Sequence, residues 1–279
     1  MATTTTDQDI TIRRARTIAD FLACQDVQRE SWGIADDSYV VPVATMVGAQ
    51  HHGGLVLGAF LPGGKAVGMS FAFLGKIDGR LCLYSQLTGI LPAHQGRGLG
   101  FLLKSAQREA ARRENIPCVA WAFDPLQAGN ARFNLDKLGA VAIHYHENMY
   151  GPRTDALNRN SPTDRLIAVW ETEPRPTPPR TFEDATRIIP VAQDPEGQLI
   201  PAGASVPASA PSLLLEIPDD INRLRREWPA LAERWGKVIR KAFQDAFGRG
   251  YRAVGFVRDE SSGMRRSAYV LTAEHRARW

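Results

Sequence analysis

The 279-residue chain predicts an α/β (α+β) fold: a central mixed, largely antiparallel sheet containing one parallel strand pair, with helices against it. Three observations carry this. Short apolar runs joined by turn signals, such as Leu55 to Leu61 and Ala66 to Leu74 around Pro62-Gly63-Gly64-Lys65, read as antiparallel hairpins. The stretch Leu81 to Phe123 has the order and length of a strand–helix–strand crossover, whose two strands are parallel. No repeat of short fixed period is present, which argues against a solenoid.

Taken in order, Ile10 to Ala15 reads as a first strand and Asp20 to Trp32 as a helix with Phe21, Cys24 and Val27 on one face. After the first hairpin, Asp78-Gly79 marks a second hairpin turn. The apolar run Leu81 to Leu91 ends at Pro92, and a glycine-rich segment then opens a helix with Leu99, Leu102, Leu103, Ala106 and Ala110 at helical spacing. Arg112 and Arg113 fall at the C-terminus of that helix, where cations suit the dipole. Cys118 to Phe123 is the returning strand. Asn130 to Leu138 forms a short helix stopped by Gly139, and Ala140 to His146 and Arg165 to Trp170 are strands. Farther on, Leu213 to Ile217 is a strand, Trp228 to Phe247 a helix with Leu231, Trp235, Val238, Ala242 and Ala246 on one face, and Tyr251 to Val257 and Ser267 to Leu271 are strands.

Composition bounds the function. Hydrophobic residues at 44 % and charged residues at 23 % are ordinary for a folded protein. A net charge of +4, from 34 basic and 30 acidic residues, gives no general electrostatic reason to expect nucleic acid. The three cysteines, Cys24, Cys82 and Cys118, have neither disulfide-framework nor zinc spacing, which fits a reduced, cytoplasmic setting. Residues 1–10 lack a basic segment followed by an apolar core, and no run is long enough for a bilayer, so neither a secretory signal nor a membrane span is expected.

Ten of the eighteen prolines lie between Pro174 and Pro218. The expected organisation is therefore a disordered tail at 1–9, a large domain at 10–172, a Pro-rich connector at 173–211 with a short strand around Arg187-Ile188-Ile189, and a smaller domain at 212–279.

The segment Gln95-Gly96-Arg97-Gly98-Leu99-Gly100 is the most informative feature, because glycines let backbone amides approach an anion at a helix N-terminus. It is neither GxGxxG nor a P-loop. It matches instead the Gln/Arg-x-x-Gly-x-Gly/Ala signature of the GNAT superfamily of acyl-CoA N-acyltransferases, read as Gln95-x-x-Gly98-x-Gly100. Ile90-Leu91-Pro92 before it and the Asn130 to Leu138-Gly139 segment after it also resemble that family. Trp121 to Leu126, Asn134 to Ala140, Tyr150-Gly151, Pro162 to Arg165 and Leu215 to Asp219 resemble a largely uncharacterised GNAT subgroup with an extended C-terminal half.

The resemblance implies a GNAT fold, with the sheet splayed at its parallel pair, covering about residues 10–172. It implies acetyl-CoA, or another acyl-CoA, as donor substrate. The amides of Gln95, Gly96, Arg97, Gly98, Leu99 and Gly100 are expected to hold the pyrophosphate, Gly89 and Ile90 to pair with the pantetheine arm, and Asn130 to contact that arm. The reaction implied is direct attack of a small-molecule amine on the acyl carbon, with no metal.

One departure stands out. The family's usual tyrosine, which protonates the leaving thiolate, is replaced by Leu135. Tyr145, Tyr150 and His144 are the substitute candidates, with His146 sharing the face of His144 and Tyr145 on the other. Tyr84, Gln86 and Thr88 alternate along the central strand as candidates for a polar patch, and Ser38 to Gly53 and Tyr150 to Asp164 are expected to be loops of the acceptor pocket. His51-His52 lacks metal-site partners at recognised spacing. The 212–279 region repeats the order of the second half of a GNAT domain without a glycine signature, so it is expected to be a half-domain that cannot bind CoA. The expected partner is a small-molecule amine, with no nucleic acid or membrane, and the chain a monomer or homodimer. The missing tyrosine leaves a non-catalytic acyl-CoA-binding or regulatory module as the alternative.

Overall fold

The computed structural model describes residues 10–34, 36–151, 162–173, 185–259 and 265–273. The remaining residues, including the expected 1–9 tail and most of the Tyr150 to Asp164 loop, lie outside the described residues. The chain divides into two compact units, one centred on Met1–Trp121 with Glu171–Pro174, the other on Ala122–Gly151, Pro162–Trp170 and Arg175–Trp279.

In the first unit, β1 (Thr11–Arg14), β2 (Leu55–Phe60), β3 (Ala66–Ile77) and β4 (Arg80–Ile90) pair antiparallel in sequence order, and the first residues of β5 (Cys118–Phe123) join β4 in parallel. Both expected hairpins are present, the second turning at Asp78 and Gly79 with φ of 48° and 80°. Helix α1 (Ile18–Trp32) starts at a capping box in which Thr17 accepts from the Asp20 amide and Asp20 accepts from the Thr17 amide. It packs on β3 and β4 beside α2 (Val43–His51), so the expected loop from Ser38 to Gly53 is largely helical.

The opposite face carries α3 (Leu99–Arg113). Gly68 on β3 sits against Leu103 of α3, whereas Gly89 on β4, paired with Met69, sits against Trp32 of α1. Residues 68 and 69 point to opposite faces, so α1 and α3 flank the sheet. Arg112 and Arg113 end α3 as expected, both paired with Glu109. The buried face of α3 differs from the expected one. Leu102 is half exposed, and Leu99, Leu103, Lys104, Gln107 and Ala111 are buried.

A bulge in β4 changes the phase of that strand. Register passes from Phe71↔Leu87 to Ala72↔Ser85, leaving Gln86 as the extra residue. Thr88, opposite Ser70, therefore shares the α3 face with Ser85, and the expected alternation of Tyr84, Gln86 and Thr88 is broken.

In the second unit, α4 (Ala128–Ala131) runs into a π-helical turn over Arg132–Lys137, closed by the Leu138 amide donating to the Phe133 carbonyl, where a single short helix was expected. The strands β6 (Val141–His146), β7 (Arg165–Glu171), β8 (Thr186–Arg187), β11 (Ser212–Ile217), β12 (Arg252–Asp259) and β13 (Arg266–Thr272) form a sheet in the order β7-β6-β12-β13-β11-β8. The Pro-rich stretch holds β8 and a small hairpin of β9 (Val191–Gln193) and β10 (Leu199–Pro201). Ile188 and Ile189, expected within a strand, follow β8 as buried residues.

Helices α5 (Ile221–Glu227) and α6 (Pro229–Gly248) follow β11. On α6 the buried face is Ala232, Trp235, Ile239, Ala242, Phe243 and Ala246, turned slightly from the expected Leu231–Val238 line. Phe243 meets Tyr269 edge-on at 5.1 Å and stacks on Tyr145 at 5.5 Å. The C-terminal elements come in the expected order, but β13 lies between β11 and β12, so those two strands do not form an adjacent parallel pair.

Candidate active site

The glycine segment forms an exposed loop between β4 and α3. Gly96 and Gly98 hold φ of 77° and 80°, the region that favours glycine, and Gly98 is the N-cap of α3 with no side chain capping it. The hydrogen bond opening the helix runs from the Leu102 amide to the Gly98 carbonyl. The amides of Leu99, Gly100 and Phe101 therefore lie ahead of the helical ladder, as donors available to an anion. Gln95 has a structural role that the sequence did not show: its Nε2 donates to the Ile90 carbonyl at 3.1 Å and braces the strand end against the loop.

The strand leading into this loop is open on one side. Pairing of β4 with β5 is confined to Leu83↔Val119 and Tyr84↔Ala120, whereas β4 continues from Ser85 to Ile90. The Gln86 bulge falls just past the last pair. A parallel pair that stops at a bulge presents a free strand edge leading directly to a cluster of helix N-terminal amides. Gly89 and Ile90 lie on this stretch. A Cβ on Gly89 would come within 2.7 Å of the Trp32 ring, so glycine there lets α1 close on the strand.

At the foot of the opening, on the α3 face, lies a buried polar group absent from the sequence expectations. Lys104 Nζ donates to Ser85 Oγ at 2.8 Å and sits 4.0 Å from the centre of the Trp121 ring. Ser85 in turn donates to Gln107 Oε1 at 3.0 Å. Lys104 takes part in no ion pair among the described residues, and burial pulls its ammonium down to about 7. The Gln107 Nε2, Ser70 Oγ and Thr88 Oγ1 atoms on the same face are buried without hydrogen-bond partners among the described residues. Lysine and glutamine in an amphipathic helix read as solvent-facing, so periodicity held no signal for this group.

On the other face of β3 and β4 is a cavity of about 480 Å³, lined by Tyr39, Val41, Phe71, Phe73 and Gln86 among others. Of the three strand residues expected to form a polar patch, Gln86 lines this cavity, and Tyr84 stands beside it with its ring 5.4 Å from that of Phe73. Thr88 is on the opposite face.

The expected acid–base candidates belong to the second unit. Tyr145 donates to Asp164, which also accepts two hydrogen bonds from Arg240, at 2.9 and 3.0 Å, and one from the Asn148 amide. Burial and the Asp164 carboxylate raise the Tyr145 phenol well above its ordinary value. Its hydroxyl is committed to that network and its ring to Phe243, which is a structural placement. His144 and His146 share a face as expected, with ring centres 6.3 Å apart. Tyr150 is partly exposed, with the Arg165 guanidinium 5.3 Å over its ring. Asn130 is exposed on α4, inside the helix rather than at its cap. His51 and His52 close α2, and no group of three or more potential metal ligands occurs among the described residues. No described helix is long and apolar enough to cross a membrane.

No known family pattern matches the chain, and no curated protein matches it. Solved acetyltransferase structures resemble it. The ribosomal-protein-S18-alanine N-acetyltransferase of Escherichia coli is 16 % identical, over 62 % of this chain and 99 % of that one, with a TM-score of 0.45. Naa50 of Arabidopsis thaliana, in complex with the bisubstrate analogue CoA-Ac-MVNAL, is 16 % identical over 58 % and 97 %, with a TM-score of 0.45. A GNAT superfamily phosphinothricin acetyltransferase from Sinorhizobium meliloti, in complex with AcCoA, is 17 % identical over 61 % and 94 %, with a TM-score of 0.48.

Proposed function

We propose that this chain is a GNAT-type acyl-CoA N-acyltransferase that moves a short acyl group, most simply acetyl, from CoA to an amine of a small molecule. What carries the proposal is one arrangement: a glycine loop with unsatisfied helix N-terminal amides, placed at the end of a strand whose edge is unpaired from Ser85 onward. The Gln95 to Gly100 loop and the first amides of α3 hold the pyrophosphate, since aligned amides at a helix N-terminus stabilise an anion without a side-chain charge. The pantetheine arm lies along the free β4 edge at Gly89 and Ile90, taking the place of a strand partner. The thioester then stands near the Gln86 bulge, where a β4 amide polarises its carbonyl.

The acceptor nitrogen attacks the acyl carbon, forming the C–N bond. The C–S bond breaks, the sulfur leaves as thiolate and takes a proton, and the amide nitrogen gives one up to solvent, so atoms and charge balance. Tyr145 is already bound within a structural network, so this scheme does not use it as the thiolate acid. The C-terminal strands, with β13 between β11 and β12 and no glycine loop, serve as scaffold and not as a second CoA site.

Calorimetric titration with acetyl-CoA and free CoA tests the proposal. Both are expected to bind, and Gly98→Asp is expected to weaken binding by at least about 100-fold, because a carboxylate repels the pyrophosphate and a side chain strains a φ of 80°. A folded Gly98→Asp protein with unchanged affinity would overturn the site.

A further inference from the structure

Resting on the transferase reading, we infer that the acceptor is an arylalkylamine, a primary amine on a short aromatic skeleton without a further charge, seated in the cavity over β3 and β4. At about 480 Å³ the cavity falls within the range typical of small-molecule sites. Its floor is aromatic. Phe71 and Phe73 lie 6.1 Å apart, and Tyr84 continues the row 5.4 Å from Phe73, with the rings tilted by 51° and 39°. Such a row offers an aromatic ligand offset and edge contacts along its length. Phe73 keeps 36 % of its surface exposed, so an apolar ligand there covers surface that the fold leaves open.

Among the described residues, no side chain lining the cavity bears a formal charge. A polyamine, an amino acid or a phosphorylated amine would therefore bring an additional charge that these walls do not pair. The polar groups are few, and one is well placed. Gln86 lies on the bulge where β4 parts from β5, so its amide oxygen can accept an N–H from an amine approaching the strand on which the thioester is placed. The amine gives its proton to water before it attacks, since only the neutral base carries the lone pair that forms the C–N bond.

The test uses the whole protein and four probes: 2-phenylethylamine, spermidine, glucosamine and glutamate. Each is first titrated by calorimetry without CoA, then offered with acetyl-CoA while the amide product is followed by mass spectrometry. Phenylethylamine is expected to bind most tightly and to be acetylated at least about 100-fold more efficiently than spermidine. Phe73→Ala, at a partly exposed position, is expected to weaken phenylethylamine binding about tenfold and leave acetyl-CoA affinity unchanged. Tighter binding or faster acetylation of spermidine, glucosamine or glutamate, or phenylethylamine affinity unaffected by Phe73→Ala, would overturn the inference. The two readings fail separately. Acetyl-CoA that binds and acetylates only spermidine, glucosamine or glutamate removes the arylalkylamine and keeps the transferase. Phenylethylamine that binds through Phe73 in a protein indifferent to acetyl-CoA keeps the cavity's ligand class and removes the transferase.

Discussion

Lys104 enters the fold with no counter-charge among the described residues, held by one hydroxyl and the face of Trp121. The aromatic ring favours the charged form, but burial outweighs it and brings the ammonium down to about 7 from 10.5. The sign of the linkage follows. Between the two values the unfolded chain binds more protons than the native one, so this lysine makes stability climb with pH across that window. Below about 7 it must be buried charged, and the full penalty, on the order of 5 kcal/mol relative to high pH, is present. Lys104→Met keeps the length of the side chain and removes the charge. It is expected to raise stability at pH 6 by about 2–4 kcal/mol and to flatten the rise between pH 7 and 10. Urea unfolding at pH 6 and pH 9.5 reads both effects, and a variant less stable than the parent at pH 6 would show that the ammonium is compensated. The cysteines give a simpler expectation. Burial pushes the Cys24 and Cys118 thiols up to about 12 and raises Cys82, so native protein at pH 8 should resist iodoacetamide at all three and label fully in urea.

Among the elements, α1 shows how a local signal and a tertiary contact converge on one residue. Asp20 closes the capping box with Thr17, accepts from the Arg16 amide and receives both guanidinium nitrogens of Arg13 at 2.8 Å. The Arg13 guanidinium, with the two amides, holds the Asp20 carboxyl far below the usual carboxylate range. The stabilisation is thus complete above the unfolded value near 3.8 and is lost as pH falls below it. Asp20→Ala leaves the Thr17 cap on the residue-20 amide but removes the carboxylate that accepts from the Arg16 and Thr17 amides and strands Arg13, and is expected to cost about 2 kcal/mol at pH 7 with the difference from the parent shrinking toward pH 2, read as urea midpoints at the two pH values.

What could be read from sequence follows the same division between local and tertiary causes. Hairpin turns, the glycine loop and the helix stop at Gly139 are written in adjacent residues and stand where the pattern puts them. The Gln86 bulge is not, because an extra residue shows only against the partner strand; it moves Thr88 to the α3 face and ends the β4–β5 pairing. Lys104 and Gln107 escaped for a related reason. A helix face is assigned by hydrophobicity, and here the buried stripe runs through two polar residues while Leu102 faces solvent. The loop of the candidate site was therefore legible, and the floor of its opening and the aromatic cavity were not.

At the scale of the whole molecule, the proline distribution places a boundary near residues 173–211, whereas the packing of the second unit joins residues from both sides of it. Asp164, just before β7, accepts from Tyr145 on β6 and from Arg240 on α6. Glu147 adds contacts to Arg240 and Gln244. The Tyr145 ring lies on Phe243, which is fully buried with Tyr269 of β13, and the Tyr269 hydroxyl donates to the Pro125 carbonyl at 2.7 Å. Beside these, β12 continues the sheet from β6 through Ala253↔Ala142. A chain ended at residue 211 would thus remove Arg240 from Asp164, uncover one face of Tyr145 and leave β6 as an open strand edge, the kind of surface that pairs with other chains. Such a fragment is expected to aggregate or to melt well below the full chain, by about 15 °C or more given the several kcal/mol those contacts supply. Circular dichroism melting and light scattering of the 1–211 fragment beside the full chain decide the matter. A monomeric 1–211 protein that melts cooperatively within a few degrees of the full chain would mean that the prolines mark the true boundary and that the Asp164–Arg240 network adds little.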